Sequence, residues 1–427
     1  MLINFTFCNY KSYRDVTEFS MVPLESIKDD RESLVNISGM EGESVLPLAA
    51  IYGGNAAGKT SFAQALALLK YMVRTGRVEH VTPFRLDEES RTKSTDFKIT
   101  LATEKEVWEY ALSVLNNKVI EESLFCVNLS QQVFSRSSDG SVLFNEQFFA
   151  GKTKDELKIA CDMAGSVPQD NVLLSTLRRH QGVMLDMARV CEKIYMWFDE
   201  VLQIKESNTL GLIPSVVSSR EAFSQLLREA GVGMQELSIR QIPIQEMVGM
   251  AEPLSWMERS MNDGEFRSLG DTIVTKENGE IKVYKCGAVH VLPSGRSETF
   301  EMREESDGTL CFINLLPVLT NPNSKSRVYV IDELDRSLHT KLSRRLIERH
   351  LSMVRSGVPQ QLIYTTHDVL LMDDELLRKD EIWLVDRYQD GKSELTAFIE
   401  FQEAASETDI RGSYMQGRMG GVPDFNL

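Results

Sequence analysis

Four short runs along the chain are apolar at every position: Leu48-Ala49-Ala50-Ile51-Tyr52, Val328-Tyr329-Val330-Ile331, Leu362-Ile363-Tyr364 and Ile382-Trp383-Leu384-Val385. A strand covered on both faces has no use for polar alternation, so these runs predict inner strands of a parallel sheet. The stretches between the last three can be helical. In one of them Leu338, Leu342, Leu346 and Leu351 keep helical spacing, which predicts βαβ crossovers. A period of two marks a different layer. Leu2 to Phe7 alternates, and alternation returns from Phe97 to Phe149, as in Phe97/Ile99/Leu101 and Trp108/Tyr110/Leu112, with turns at Asn116-Asn117 and Ser138-Asp139-Gly140. This predicts an antiparallel β layer. A polar loop around Lys28 to Gly42 and a helix from about Thr60 to Arg74 lie between the two alternating regions.

From about Asp155 to Met261 the pattern turns helical. Leu173, Leu177, Met184, Met187, Val190, Ile194 and Phe198 predict a long amphipathic segment, without the sustained heptads of coiled-coil arms. Strands resume from Thr272 to Phe300, with Asn278-Gly279 as a hairpin turn. Three of the four apolar runs follow Glu301. One α/β domain interrupted by an insertion is therefore more economical than domains in tandem. The expected boundaries are a first lobe over 1–154, a mainly helical insertion over 155–270 and a second lobe over 271–427.

Composition narrows the class. With 427 residues and 42% apolar content the chain is globular and long enough for two or three domains. No stretch approaches the ~20 apolar residues of a membrane span, and no secretory signal is expected at the N-terminus. Cys8, Cys126, Cys161, Cys191, Cys286 and Cys311 are scattered without a C-x-x-C pair, as suits reduced thiols and a cytoplasmic location. A formal charge of −16 disfavours duplex DNA as the main ligand, since DNA binding needs a basic surface, but it leaves room for a local basic stripe; an acidic surface could equally dock a basic protein partner.

The candidate chemistry begins at Gly53-Gly54-Asn55-Ala56-Ala57-Gly58-Lys59-Thr60, a G-x-x-x-x-G-K-[ST] loop between an apolar strand and a helix. Its glycines let successive N–H groups point at a phosphate, and the helix start adds a positive dipole end. Lys59 would neutralise β- and γ-phosphate oxygens, Thr60 would ligate Mg²⁺, and Ser61 belongs to the same set of contacts. The run Val328 to Ile331 ends in Asp332-Glu333, two acids at the carboxyl edge of the sheet. Asp332 would hold Mg²⁺ through water and Glu333 would act as general base. Glu305-Ser306-Asp307-Gly308-Thr309 precedes an apolar helix. Ser306 and the Gly308 N–H form a second anion site there, while Ser306 or Asp307 standing alone reads as a helix cap. Leu334-Asp335 follows Glu333, and Thr365-Thr366-His367-Asp368 closes the next run. A histidine placed there can bond a γ-phosphate and position a water. The other histidines, including His290, carry no functional signal.

Taken together, these motifs resemble the ABC-type ATPases of the SMC, RecF and OLD group. Asn9-Tyr10-Lys11-Ser12-Tyr13 looks like that group's N-terminal element, whose basic residue approaches nucleotide phosphates. Lys59 and Thr60 match Walker A, Ser306 and Gly308 the signature, Asp332 and Glu333 Walker B, Asp335 the D-loop and His367 the switch histidine. The ESDGT signature, Ser337-Leu338-His339 and the segment Tyr414 to Pro423 are similar to the AAA15/AAA21-type ATPases of anti-phage operons, including the AbiL and RloB-associated ATPases. The resemblance implies an ABC-type head that binds ATP and Mg²⁺ and dimerises around ATP, with higher oligomers open. Each loop would be completed by the other protomer's Ser306 and Gly308. It also implies a neighbouring effector, often a nuclease. One departure is the lack of a glutamine from Ala65 to Ser130, where the group carries its Q-loop residue. The competing expectations are a RecF-like repair ATPase acting directly on DNA, a transporter motor subunit and an ATP-gated scaffold.

Overall fold

In the computed structural model the four apolar runs become adjacent strands. Arg327–Ile331, Gln360–Thr366, Leu48–Gly53 and Ile382–Arg387 lie in that order, flanked by Leu202–Lys205 and Ser393–Ala397. The three inner pairings are parallel, and Ser393–Ala397 pairs antiparallel with Ile382–Arg387. Every residue of Leu48–Gly53 and Gln360–Thr366 is buried, which is why neither strand alternates. The register sets Ile331 opposite Tyr364, Thr366 opposite Tyr52 and Val385 opposite Gly53. The strands thus finish together, and whatever follows each one meets at a single edge.

The structure describes residues 1–27, 32–37, 40, 42–146, 151, 153–180, 182–205, 220–246, 261, 266–321, 324–401, 409–418 and 420. Parts of four sequence features lie outside these: residues 28–31, 38, 39 and 41 of the polar loop, residues 147–149 of the alternating region, residues 181, 206–219 and 247–260 of the stretch expected to be helical, and Met419, Gly421, Val422 and Pro423 of the C-terminal segment. The chain forms two units, one of Met1–Ile204, Lys325–Glu333 and Leu351–Leu427, the other of Lys205–Ser324 and Leu334–His350.

The first unit holds the parallel strands and a seven-stranded antiparallel sheet. Its order is Val142–Phe144, Gln131–Arg136, Lys118–Cys126, Val107–Leu115, Thr95–Ala102, Leu2–Cys8 and Thr17–Ser20. Helix Lys59–Thr75 packs against this sheet: Phe62 meets Phe5, Phe7 and Phe19 at centroid distances of 6.2, 6.1 and 5.0 Å. Phe19 in turn packs on Trp383 of the parallel sheet at 5.0 Å. Each fully buried ring of this kind contributes about 1.5–3 kcal/mol. Gln361, buried at the start of its strand, accepts from Leu2 N at 2.7 Å and donates to Leu2 O at 3.0 Å and Leu46 O at 3.1 Å. Its amide satisfies backbone groups that would otherwise be orphaned where the sheets approach.

The second unit is built on an antiparallel sheet ordered Glu236–Ile242, Glu280–Val291, Thr272–Glu277 and Phe266–Leu269, with Ser297–Glu301 also paired to Glu280–Val291. Asn278 and Gly279 both take positive φ, 53° and 80°, as a two-residue hairpin turn requires. Several details depart from the sequence pattern. The stretch between Gln360–Thr366 and Ile382–Arg387, expected to be helical, holds only the single turns Val369–Leu371 and Lys379–Glu381, and Leu202–Lys205 is a strand inside the expected helical stretch. Glu236–Ile242 is a strand inside the stretch expected to be helical; Leu237 and Ile242 are buried by pairing with Glu280–Val291, and tertiary pairing overrides the local signal. The segment from Leu173 to Phe198 is not one helix but Leu173–Leu177 and Leu185–Met196, with Gly182 at φ 71° between them and a π turn at Trp197–Val201.

Candidate functional site

The loop after strand Leu48–Gly53 is shaped by groups that hold its carbonyls. Arg387 Nη1 donates to Ala56 O at 3.0 Å, Ser393 Oγ donates to Ala57 O, and Tyr13 OH donates to Gly58 O at 3.3 Å. Burial pushes the Tyr13 phenol well above its usual pKa, so it stays a donor. In a trans peptide the following N–H points opposite the carbonyl, so the N–H groups of Ala57, Gly58 and Lys59 turn away from these three anchors. Ala56 sits at φ 58° and Gly58 at φ 130°. A Cβ on Gly58 would meet Ser393 Oγ at 2.5 Å, and one on Gly53 would meet Val385 O at 2.5 Å. Helix Lys59–Thr75 starts without a side-chain cap and without an acid in its first turn. Its N-terminus is therefore suited to an external anion.

Lys59 is buried, and its ammonium donates to Gly53 O at 2.6 Å and Gly54 O at 2.9 Å, with His367 Nδ1 3.3 Å away. An ammonium has no lone pair, so Nδ1 accepts and the neutral ring carries its proton on Nε2. The acids at the end of Arg327–Ile331 meet the same neighbouring strand. Thr365 Oγ1 donates to Asp332 Oδ1 at 2.7 Å and accepts from Glu333 N at 2.8 Å. Glu333 is held at φ 56°, a left-handed conformation uncommon outside glycine, which turns the chain sharply after the strand. His367 and Thr60 are exposed, Glu333 is half-buried and Asp332 is buried. A phosphate-bound Mg²⁺ would take one or two protein oxygens and keep waters, a demand that the Thr60 hydroxyl and the Asp332 carboxylate could meet. Among the described residues there is no larger His/Cys/Asp/Glu cluster that could hold a metal.

The family model "AAA domain, putative AbiEii toxin, Type IV TA system", AAA_21, matches residues 48–150 and 227–373, more than half of the chain. The chain belongs to the AAA_21 family. No curated protein matches it. Similar solved structures include an Smc head bound to the C-winged helix domain of ScpA, at 11% identity over 92% of this chain and 96% of that one, with TM-score 0.40. The SMC head domain from Thermotoga maritima matches at 13% identity over 93% and 98%, with TM-score 0.36. The Pyrococcus furiosus Smc head with an extended coiled coil, bound to the C-terminal domain of ScpA, matches at 10% over 95% and 98%, with TM-score 0.39. The AAA_21 chain has a mixed α/β fold, with its parallel strands and an antiparallel layer.

Ser306, Gly308 and Asp335 of this AAA_21 protein lie in the second unit, and Lys11 lies in the first. Ser306 caps helix Asp307–Leu315 by accepting from Thr309 N at 3.2 Å, and its hydroxyl lies 2.8 Å from Thr309 Oγ1. Gly308 is pressed against the segment after Asp335: a Cβ there would meet Ser337 O at 2.6 Å. Lys11 is bonded to Gln64 Oε1 and lies over the Tyr10 ring at 5.6 Å. Thr365, Arg387 and Ser393 were not singled out by sequence. Thr365 stands beside a flagged histidine, but Arg387 and Ser393 reach the loop from more than 330 positions away, and no local pattern marks them. Among the described residues no helix is long and apolar enough to cross a membrane.

Proposed function

We propose that this chain binds ATP with Mg²⁺ at Gly53–Thr60 and hydrolyses it, and that it does so as a dimer controlling a partner effector in anti-phage defence. The observation that carries the catalytic part is the meeting of Lys59, His367, Thr365, Asp332 and the Glu333 backbone at one sheet edge. In this reading Lys59 leaves the loop carbonyls for the phosphates, and the first-turn N–H groups and Thr60 complete the cradle. Bound Mg²⁺ would offset charge on the phosphate oxygens. Thr365 fixes Asp332 and the turn at Glu333, Glu333 takes a proton from the attacking water, and His367 offers Nε2–H to the terminal phosphate. Ser306, Gly308 and Asp335 of a second protomer close the site. The effector role is supported by the ESDGT signature and by a family description that includes a toxin–antitoxin system. The acidic balance weighs against direct action on DNA.

A mixing experiment tests the shared site. Lys59→Ala and Ser306→Arg are each expected to abolish turnover alone. Mixed in equal amounts, random pairing leaves one intact site in half of the dimers, so roughly a quarter of wild-type turnover returns. No recovery, with both variants folded and able to pair, overturns the shared site. Thr365→Val tests the Walker B support. It keeps the shape but removes a hydrogen bond to a charged group, so kcat is expected to fall about tenfold or more. Nucleotide affinity, measured separately, should stay within about threefold because Thr365 makes no phosphate contact in this reading. An unchanged kcat would remove Thr365 from the machinery. Effector control is tested by co-purification with the product of a neighbouring gene and by phage challenge; failure of both would sink it.

A further inference from the structure

Glu305, the first residue of ESDGT, has no role so far, and His290 carried no sequence signal. Their side chains meet in the second unit: His290 Nε2 lies 2.6 Å from Glu305 Oε1. Glu305 is only 8% exposed and His290 25%, so this pair is far less open to water than a surface contact. The imidazole is also fixed by an edge-on contact with Phe300 at 4.9 Å. His290 stands on Glu280–Val291 and Phe300 on Ser297–Glu301, which pair with each other. From that hairpin the chain runs through the short turn Met302–Glu304 and its buried Met302 into Glu305, whose N–H donates to Met302 O at 3.2 Å. Ser306 follows at once as the helix cap, and two residues on Gly308 leaves no room against Ser337 O.

We propose that His290 is a positioning residue for the signature: through Glu305 it holds Ser306 and Gly308 in the place from which they close on a nucleotide, and it links that place to the insertion sheet. This rests on the shared-site reading above. His290 touches no nucleotide in either state. Its effect reaches turnover only through Glu305. A hinge between hairpin and signature would otherwise sit at Glu305, between the turn that ends at Glu304 and the cap at Ser306. A partner that shifts the hairpin would thereby change how readily the signature closes.

Three variants of the full chain test this: His290→Ala, His290→Gln, which retains an N–H donor, and Glu305→Ala. In the free protein, amide hydrogen exchange at residues 305–309 is expected to rise about tenfold or more in His290→Ala and Glu305→Ala, and to return towards wild type in His290→Gln. Binding of a fluorescent ATP analogue to monomer should stay within about threefold, while kcat falls about tenfold or more and the ATP needed for dimerisation rises. Unchanged exchange at 305–309 in His290→Ala overturns the proposal, as does turnover equal to wild type when exchange has risen. If wild type neither dimerises nor hydrolyses ATP, the function above fails; the exchange data still decide whether His290 holds the signature.

Discussion

Glu333→Gln is expected to lower ATP turnover by about 10²–10⁴-fold, the usual span for removing a general base. Glutamine keeps the side-chain length but cannot take a proton from water at neutral pH. The backbone at φ 56° is held by Glu333 N–H donating to Thr365 Oγ1 at 2.8 Å, a contact the substitution does not touch. The strained turn should therefore survive, and with it the position of Asp332. Nothing in the cradle is altered either, because Lys59, Thr60 and the first-turn N–H groups form it without Glu333. ATP should bind normally and accumulate, so an ATP-dependent dimer that is transient in wild type should become stable to gel filtration. Single-turnover phosphate release and light scattering together give the answer. Turnover within threefold of wild type would show that another group activates the water. A slow enzyme that forms no lasting dimer would instead detach catalysis from protomer closure.

How much of this was legible in the sequence depended on whether the signal was local. The four apolar runs could be read because a strand buried on both faces must be apolar throughout, and they proved to be the four adjacent parallel strands. The hairpin turn at Asn278-Gly279 was legible for an equally local reason, since both positions need positive φ. The phosphate loop was legible as a motif, but the side chains that shape it were not. Arg387 and Ser393 become its supports only when Ile382–Arg387 and Ser393–Ala397 dock beside Leu48–Gly53. Gln361 carried no sequence signal, yet it ties strand Leu2–Cys8 to the parallel sheet. Glu236–Ile242 was obscured for a related reason: only two of its residues face the core strongly, and its partner strand lies more than 40 residues downstream.

The largest stability effect should come from a residue with no sequence signal at all. Glu122 is fully buried on strand Lys118–Cys126, directly opposite Arg136 on Gln131–Arg136. Its oxygens accept from Tyr110 OH at 3.0 Å, Leu173 N at 2.7 Å and Leu174 N at 2.8 Å. Arg136 reaches the same connection, donating to Val167 O at 2.6 Å and Asn171 O at 2.9 Å. The pair pins the start of helix Leu173–Leu177 to the antiparallel sheet. Glu122→Ala would strand three donors and leave Arg136 without its nearby charge, so destabilisation of about 3–5 kcal/mol is expected. Glu122→Gln should cost less than alanine, yet its NH₂ faces at least one donor and cannot restore the set. Burial raises the Glu122 pKa from 4.5, against the pull of the three donors and Arg136. A raised folded-state pKa gives stability that is complete below the unfolded value and lost as pH climbs through the folded one. The gap between wild type and Glu122→Ala should therefore be widest below pH 4.5 and narrow as pH rises above it. Urea unfolding of both proteins across that range measures it, and a gap below about 1 kcal/mol throughout would show that Glu122 does not anchor the connection.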